Sequence, residues 1–167
     1  MPAPRHASFA PQVDPDARLL ILGSLPGARS LADQQYYAHP TNQFWRLVGA
    51  VIGQPLAEGD YPARLAMLRA AKIGIWDVIR TAERRASSDS EIRQIEAHDL
   101  AALIAKLPEL RMVAFNGGTA AAIGRQQLPP LDGIAVIDLP SSSAANTRSF
   151  SAKKEQWQQM RQALVNE

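Results

Sequence analysis

The sequence contains no cysteine. This single absence excludes disulfides, thiolate zinc sites, iron–sulfur clusters and a cysteine nucleophile. Histidine is scarce too. His6, His39 and His98 lie far apart without metal-ligand spacing, so no structural metal is expected. Apolar stretches are all too short to span a bilayer, and the first residues lack the apolar segment of a secretory signal; a cytoplasmic protein with no membrane partner is expected. Neither sign of charge dominates. A net charge of +2 permits nucleic-acid binding without requiring it. Walker A and GxGxxG loops are missing, which disfavours ATP and NAD sites. A GxSxG elbow and a Ser-His-Asp order are missing as well, which disfavours a serine hydrolase.

What is present is apolar material in short, punctuated runs. Apolar residues make up 46% of the 167 positions, enough for one compact domain with a sizeable core. Residues 1–17, rich in Pro and Ala, read as a surface arm that Phe9 tethers, and 18–167 as a single domain. Four runs read as buried strands: about 18–23, 74–79, 112–115 and 134–139. Helices are expected at about 41–52, with Thr41 as N-cap and Gly53 as stop, at 61–72 behind an Asp60-Tyr61-Pro62 start, at 97–106, from Gly118 to about 125, and at 151–165. Residues 80–96 are polar and read as a long loop carrying Arg80, Arg84 and Arg85. Strands alternating with helices predict an α/β fold: three layers, αβα, around a four-stranded parallel sheet.

Each of the four strands ends in small or polar residues, so one rim of the sheet collects the chemistry. In open α/β sheets ligands bind at the carboxyl ends of the strands. Gly23-Ser24-Leu25-Pro26-Gly27 is either a plain tight turn or a backbone wall that a ligand approaches closely. Tyr36 and Tyr37 are either core aromatics or a stacking platform for flat bases. Asn42 caps a helix or positions a water. Asn116 is a turn residue, or an amide able to donate to one base-edge atom and accept from another. Ser141, Ser142 and Ser143 form a solvated turn or offer hydroxyls and N–H groups to phosphate. Lys153, Lys154 and Arg161 read as a solvated helix face, with phosphate contact as the alternative for the two lysines.

Taken together and in order, these segments resemble the uracil-DNA glycosylase superfamily. GSLPG is similar to its GxNPG or GQDPY turn, and YYAHPTNQFW to the HPxNRFW segment of its mismatch-specific members. GIWDVIRT, MVAFNGGTAAA and IDLPSSSAANTRS fall on later elements. Within the superfamily the chain most resembles the hypoxanthine-DNA glycosylases, which combine a GSxPG turn, a YYxHPxNxFW segment and an LPSxS motif. That resemblance implies base flipping, no cofactor, and a monofunctional enzyme hydrolysing the N-glycosidic bond of deaminated bases in double-stranded DNA: hypoxanthine, with uracil or xanthine as further candidates. It implies Asn42 as the catalytic residue; Gly23, Ser24, Tyr37 and Asn116 as base-binding; and Ser141, Ser142, Ser143, Arg148 and Lys153 toward the DNA backbone. A monomer is expected. Two departures stand out: Leu25 replaces the Asp or Asn with which other families orient water, and Leu139 replaces the His of the uracil-specific family. Such leucines also suit a non-catalytic module binding damaged or single-stranded DNA; a nucleotide or nucleoside hydrolase on a similar sheet is a third reading.

Overall fold

A computed structural model describes residues 5–84 and 92–165. At its centre lie four parallel strands, β2 (Leu19–Gly23), β3 (Ile73–Asp77), β6 (Met112–Asn116) and β7 (Ala135–Leu139), in the spatial order β3-β2-β6-β7. Pairing is in continuous register, Leu19 opposite both Ile73 and Met112, and Met112 opposite Ala135. Every residue of β2, β3 and β6 is buried, whereas β7 is a partly exposed edge. Strands covered on both faces must be apolar throughout, which is why these runs do not alternate with polar residues.

Alternate side chains supply two cores. Leu19, Ile21, Ile73, Ile75 and Ala114 face one way, against α2 (Phe44–Ile52), α3 (Tyr61–Ala70) and α6 (Phe150–Trp157). Leu20, Leu22, Val113 and Phe115 face the other way, against α4 (Leu100–Ile104) and α5 (Gly118–Gln127). The chain ends in a short helix, α7 (Arg161–Leu164). The three-layer αβα prediction thus describes the central architecture, and Asp60 caps α3 as expected, its side chain accepting from the Ala63 N–H at 2.9 Å. Gly53 stops α2 in the left-handed region at φ +69°, where glycine avoids the Cβ clash.

Three expectations are corrected. Residues 80–96 are not one long loop: β4 (Ile79–Arg84) and β5 (Ile92–Ala97) form an antiparallel pair, and β1 (Arg5–Ala7) adds to β4 as a third strand. Their alternating polar sequence suits a sheet with one wet face; Arg85 and Ser87-Ser88-Asp89-Ser90 lie outside the described residues. No helix is expected between the glycine turn and position 41, yet α1 (Ala28–Asp33) forms there. Thr41 does not cap α2. That helix begins at Phe44, and the oxygen of Asn42 accepts the Phe44 N–H at 2.9 Å.

Residues 8–13 cross from β1 to the main sheet. Gln12 bridges Ile75 in both directions at 3.0 and 2.9 Å. The Trp76 indole N–H donates to the Phe9 carbonyl at 2.9 Å, and the Tyr36 hydroxyl to the Ala10 carbonyl at 3.0 Å.

Candidate active site

The carboxyl ends of the four parallel strands converge on a pocket of about 590 Å³, within the roughly 300–1,000 Å³ usual for small-ligand sites. One wall is the glycine turn leaving β2, together with the 36–42 loop. The other is the serine loop leaving β7. Asp77 and Asn116, the last residues of β3 and β6, lie between them.

The glycine turn is fixed from behind. Gly23 and Ser24 carbonyls accept the Val78 and Ile79 N–H groups at 2.8 and 3.1 Å. A side chain at position 23 has no room: a Cβ there would stand 2.7 Å from Asp77 Oδ1 and 2.9 Å from the Tyr37 hydroxyl. Both polar atoms therefore reach over the glycine. Leu25 is buried in the core on the α4–α5 side, and Leu139 in the opposite core.

The two tyrosines divide. Tyr36 is core, and burial, with the Asp77 carboxylate second, pushes its phenol well above the ordinary range, so it stays neutral. Tyr37 lines the pocket in the left-handed region at φ +53°. A non-glycine residue there carries strain of about 1–3 kcal/mol, which packing must offset. Its ring stacks on Phe44 at 3.8 Å and 11°, and its carbonyl accepts the Trp45 indole N–H at 3.2 Å. Phe44 in turn meets Trp157 edge-on. Strain held in place by packing is characteristic of functional sites.

Asn42 lines the same pocket, half-buried. One oxygen lone pair is taken by the Phe44 N–H; a second lone pair and the Nδ2 group have no partner among the described residues. His39 beside it accepts the Thr41 N–H on Nδ1 at 3.2 Å.

On the opposite wall the side chains satisfy one another. Asn116, 8% exposed, accepts the Ser142 N–H and donates to the Ser142 hydroxyl, both at 2.9 Å. A longer contact of 3.4 Å runs from its Nδ2 to the Tyr37 hydroxyl. Ser141 and Ser143 hydroxyls accept the N–H groups of Ser143 and Ala145 at 3.1 and 3.2 Å, so each keeps its own proton to donate. Gly117 sits at φ +98°, and a Cβ added there would stand 3.1 Å from Ser141 Cβ.

Of the ten residues singled out from sequence, the pocket gathers eight: Gly23, Ser24, Tyr37, Asn42, Asn116, Ser141, Ser142 and Ser143. Arg148 stands exposed beyond the rim. Lys153 is the clear correction. It is not on a solvated face but 1% exposed, and its ammonium donates to Gln43 Oε1 at 3.0 Å and the Ser143 carbonyl at 3.1 Å. Burial pushes its pKa down. Ser142 occupies one N–H and one lone pair of the Asn116 amide, which leaves a second donor hydrogen and a second lone pair at its two ends. Asp77 was missed. It is a carboxylate only 3% exposed on the pocket floor, and its signal was a single charge inside the apolar run GIWDVI. Among the described residues no group of three or more His, Cys, Asp or Glu is placed to hold a metal ion.

The family model of the Uracil DNA glycosylase superfamily matches residues 10–165. A hypoxanthine DNA glycosylase of Methanosarcina barkeri is 38% identical over 153 residues, covering 92% of this chain and 96% of that protein. A second, from Methanosarcina acetivorans, is 40% identical over 152 residues, covering 90% and 94%. The solution NMR structure of a Methanosarcina acetivorans protein, provisionally described as a uracil DNA glycosylase, superposes with a TM-score of 0.84 at 36% identity, covering 96% of this chain and 99% of that one.

Proposed function

The chain belongs to the uracil DNA glycosylase superfamily, and from that premise we infer that it is a monofunctional DNA glycosylase releasing deaminated bases, hypoxanthine foremost, from double-stranded DNA. The joint placement of Asn42 and Asp77 in one rim pocket carries this reading. Deamination turns a bare ring nitrogen into an N–H beside a new carbonyl: N1–H in hypoxanthine, N3–H in uracil. A carboxylate accepts from that N–H and repels the lone pair that adenine or cytosine presents there. The Gly23 and Ser24 carbonyls already accept from Val78 and Ile79, so Asp77 supplies the acceptor. Main-chain N–H groups of the turn suit the new carbonyl.

The target nucleotide leaves the stack at a cost of a few kcal/mol, least for a mispaired base. Tyr37 stacks on the base with its outer face while Phe44 supports the inner one. Asn42 holds a water by the oxygen lone pair not used on Phe44. The water oxygen bonds to C1′ as the C1′–N bond breaks, the bonding pair leaves with the base, and the water's proton is released to solvent. Much of the acceleration comes from placement and from a preorganised polar site. Ser141 and Ser143 donate to phosphates flanking the lesion, and the 144–148 segment, with Arg148, enters the duplex. Acting as a monomer on cytoplasmic DNA completes the reading.

Labelled duplexes carrying one hypoxanthine, uracil, xanthine or normal base test it. Alkali-revealed strand breaks are expected with the deaminated bases and hypoxanthine fastest. Tight lesion binding without breaks in any duplex would replace the enzyme by a recognition module.

A further inference from the structure

Lys153 is the one lysine among the fully buried side chains. No carboxylate lies within ion-pair distance of it among the described residues. An unpaired buried ammonium costs stability that a methionine of similar shape would not. Its presence therefore asks for a reason other than packing.

One acceptor, Ser143, lines the pocket, and the other, Gln43, directly follows the pocket residue Asn42. Gln43 is the N-cap of α2. Ser143 closes the serine loop, and its carbonyl also accepts the Asn146 N–H at 3.0 Å. A further bond ties the same two segments, from the Gln43 N–H to the Ser142 carbonyl at 2.9 Å. α6 sets Lys153 one turn before Trp157, which is itself buried and donates to the Pro140 carbonyl at 2.9 Å. The ammonium is thus delivered from a fixed helix to the seam between the two walls.

Resting on the glycosylase reading, we propose that Lys153 is a positioning residue, whose ammonium holds the Asn42 turn and the serine loop at a fixed separation. A phosphate gripped by Ser141 and Ser143 then places the adjoining C1′ at the water held by Asn42. Neither group is touched by Lys153 itself. Its charge lies behind the loop that faces the phosphates, with no carboxylate among the described residues beside it to cancel it.

Single-turnover base release from a hypoxanthine duplex tests this, using wild type, Lys153→Met, Gln43→Ala and the double variant, with melting temperatures alongside. Lys153→Met is expected to slow the saturated rate by about tenfold to a hundredfold per folded molecule, the scale of a 1 Å misplacement. Gln43→Ala should slow it less, and the double variant no more than Lys153→Met alone. A wild-type rate in Lys153→Met overturns the proposal, as does a lowered melting temperature with an unchanged rate per folded molecule. Single losses that multiply in the double variant overturn it as well. Should Lys153→Met not fold, Gln43→Ala carries the test, and an unchanged rate there is fatal. A wild-type protein that releases no base from any lesion overturns the glycosylase reading, and this proposal with it, which is a distinct failure.

Discussion

The two walls of the pocket are built on opposite plans. The serine loop is bonded within itself and to the end of β6: Ser141 to Ser143, Ser143 to Ala145, and Ser142 to Asn116. Opposite it, the Asn42 turn keeps an amide group and a lone pair in hand, and the glycine turn brings Asp77 and Tyr37 over a residue with no side chain. One wall is closed on itself by these hydrogen bonds. In the proposed reaction the other receives the base and the water. Division of this kind assigns grip and chemistry to different side chains, while Lys153 and the Gln43–Ser142 bond set the distance between them.

Mutations that affect only one wall would sharpen this contrast, and effects that cross over would break it. The largest effect is expected from Asn42→Ala. Base release should fall on the order of a hundredfold to a thousandfold, while affinity for the lesion duplex changes little; a near-normal rate in single-turnover assays would remove Asn42 from the chemistry. Asp77→Asn comes next. Losing one base-edge hydrogen bond is worth about 1–3 kcal/mol, so hypoxanthine release should slow roughly 5- to 150-fold and the margin over adenine should narrow. Equal slowing on every base would make Asp77 a structural residue. Asn116→Ala should act on the closed wall, leaving the Ser142 N–H buried without its acceptor, at about 1–3 kcal/mol of folding stability. Denaturant melts measure it, and lesion affinity should weaken with them. Ser141→Ala is the smallest: a few-fold weaker binding, from one hydrogen bond worth about 0.5–1.5 kcal/mol. The salt dependence of binding should stay unchanged, since serine neutralises no phosphate.

Legibility followed burial. β2, β3 and β6 are covered on both faces, so their sequences are apolar throughout and bounded by glycine, asparagine and aspartate. The hairpin of β4 and β5 was read as loop because a peripheral sheet needs apolar residues on one side only, and six-residue strands leave few positions to show it. Asn42 and Asn116 were found because asparagine is conspicuous at a strand or helix end. Asp77 was hidden by its apolar neighbours. Lys153 was misread because adjacent lysines suggest solvent. A signal was there to use: Phe150, Lys153, Trp157 and Met160 recur at helical spacing on one face, and a lysine on such a stripe belongs to the interior. Side-chain pairings such as Asn116 with Ser142 join distant segments and leave no local trace.

The crossing of residues 8–13 over the main sheet bears on how this protein is handled at the bench. The Ala10 carbonyl is the acceptor for Tyr36, whose peptide neighbour Tyr37 holds an unfavourable backbone angle at the pocket. A recombinant form trimmed to begin after Val13, or a protease nick in that stretch, would keep every recognisable motif. It would also release the anchor next to the strained tyrosine. Such a preparation would look intact by its motifs and yet report too low an activity, so comparisons between variants should be made on chains with the same N-terminus.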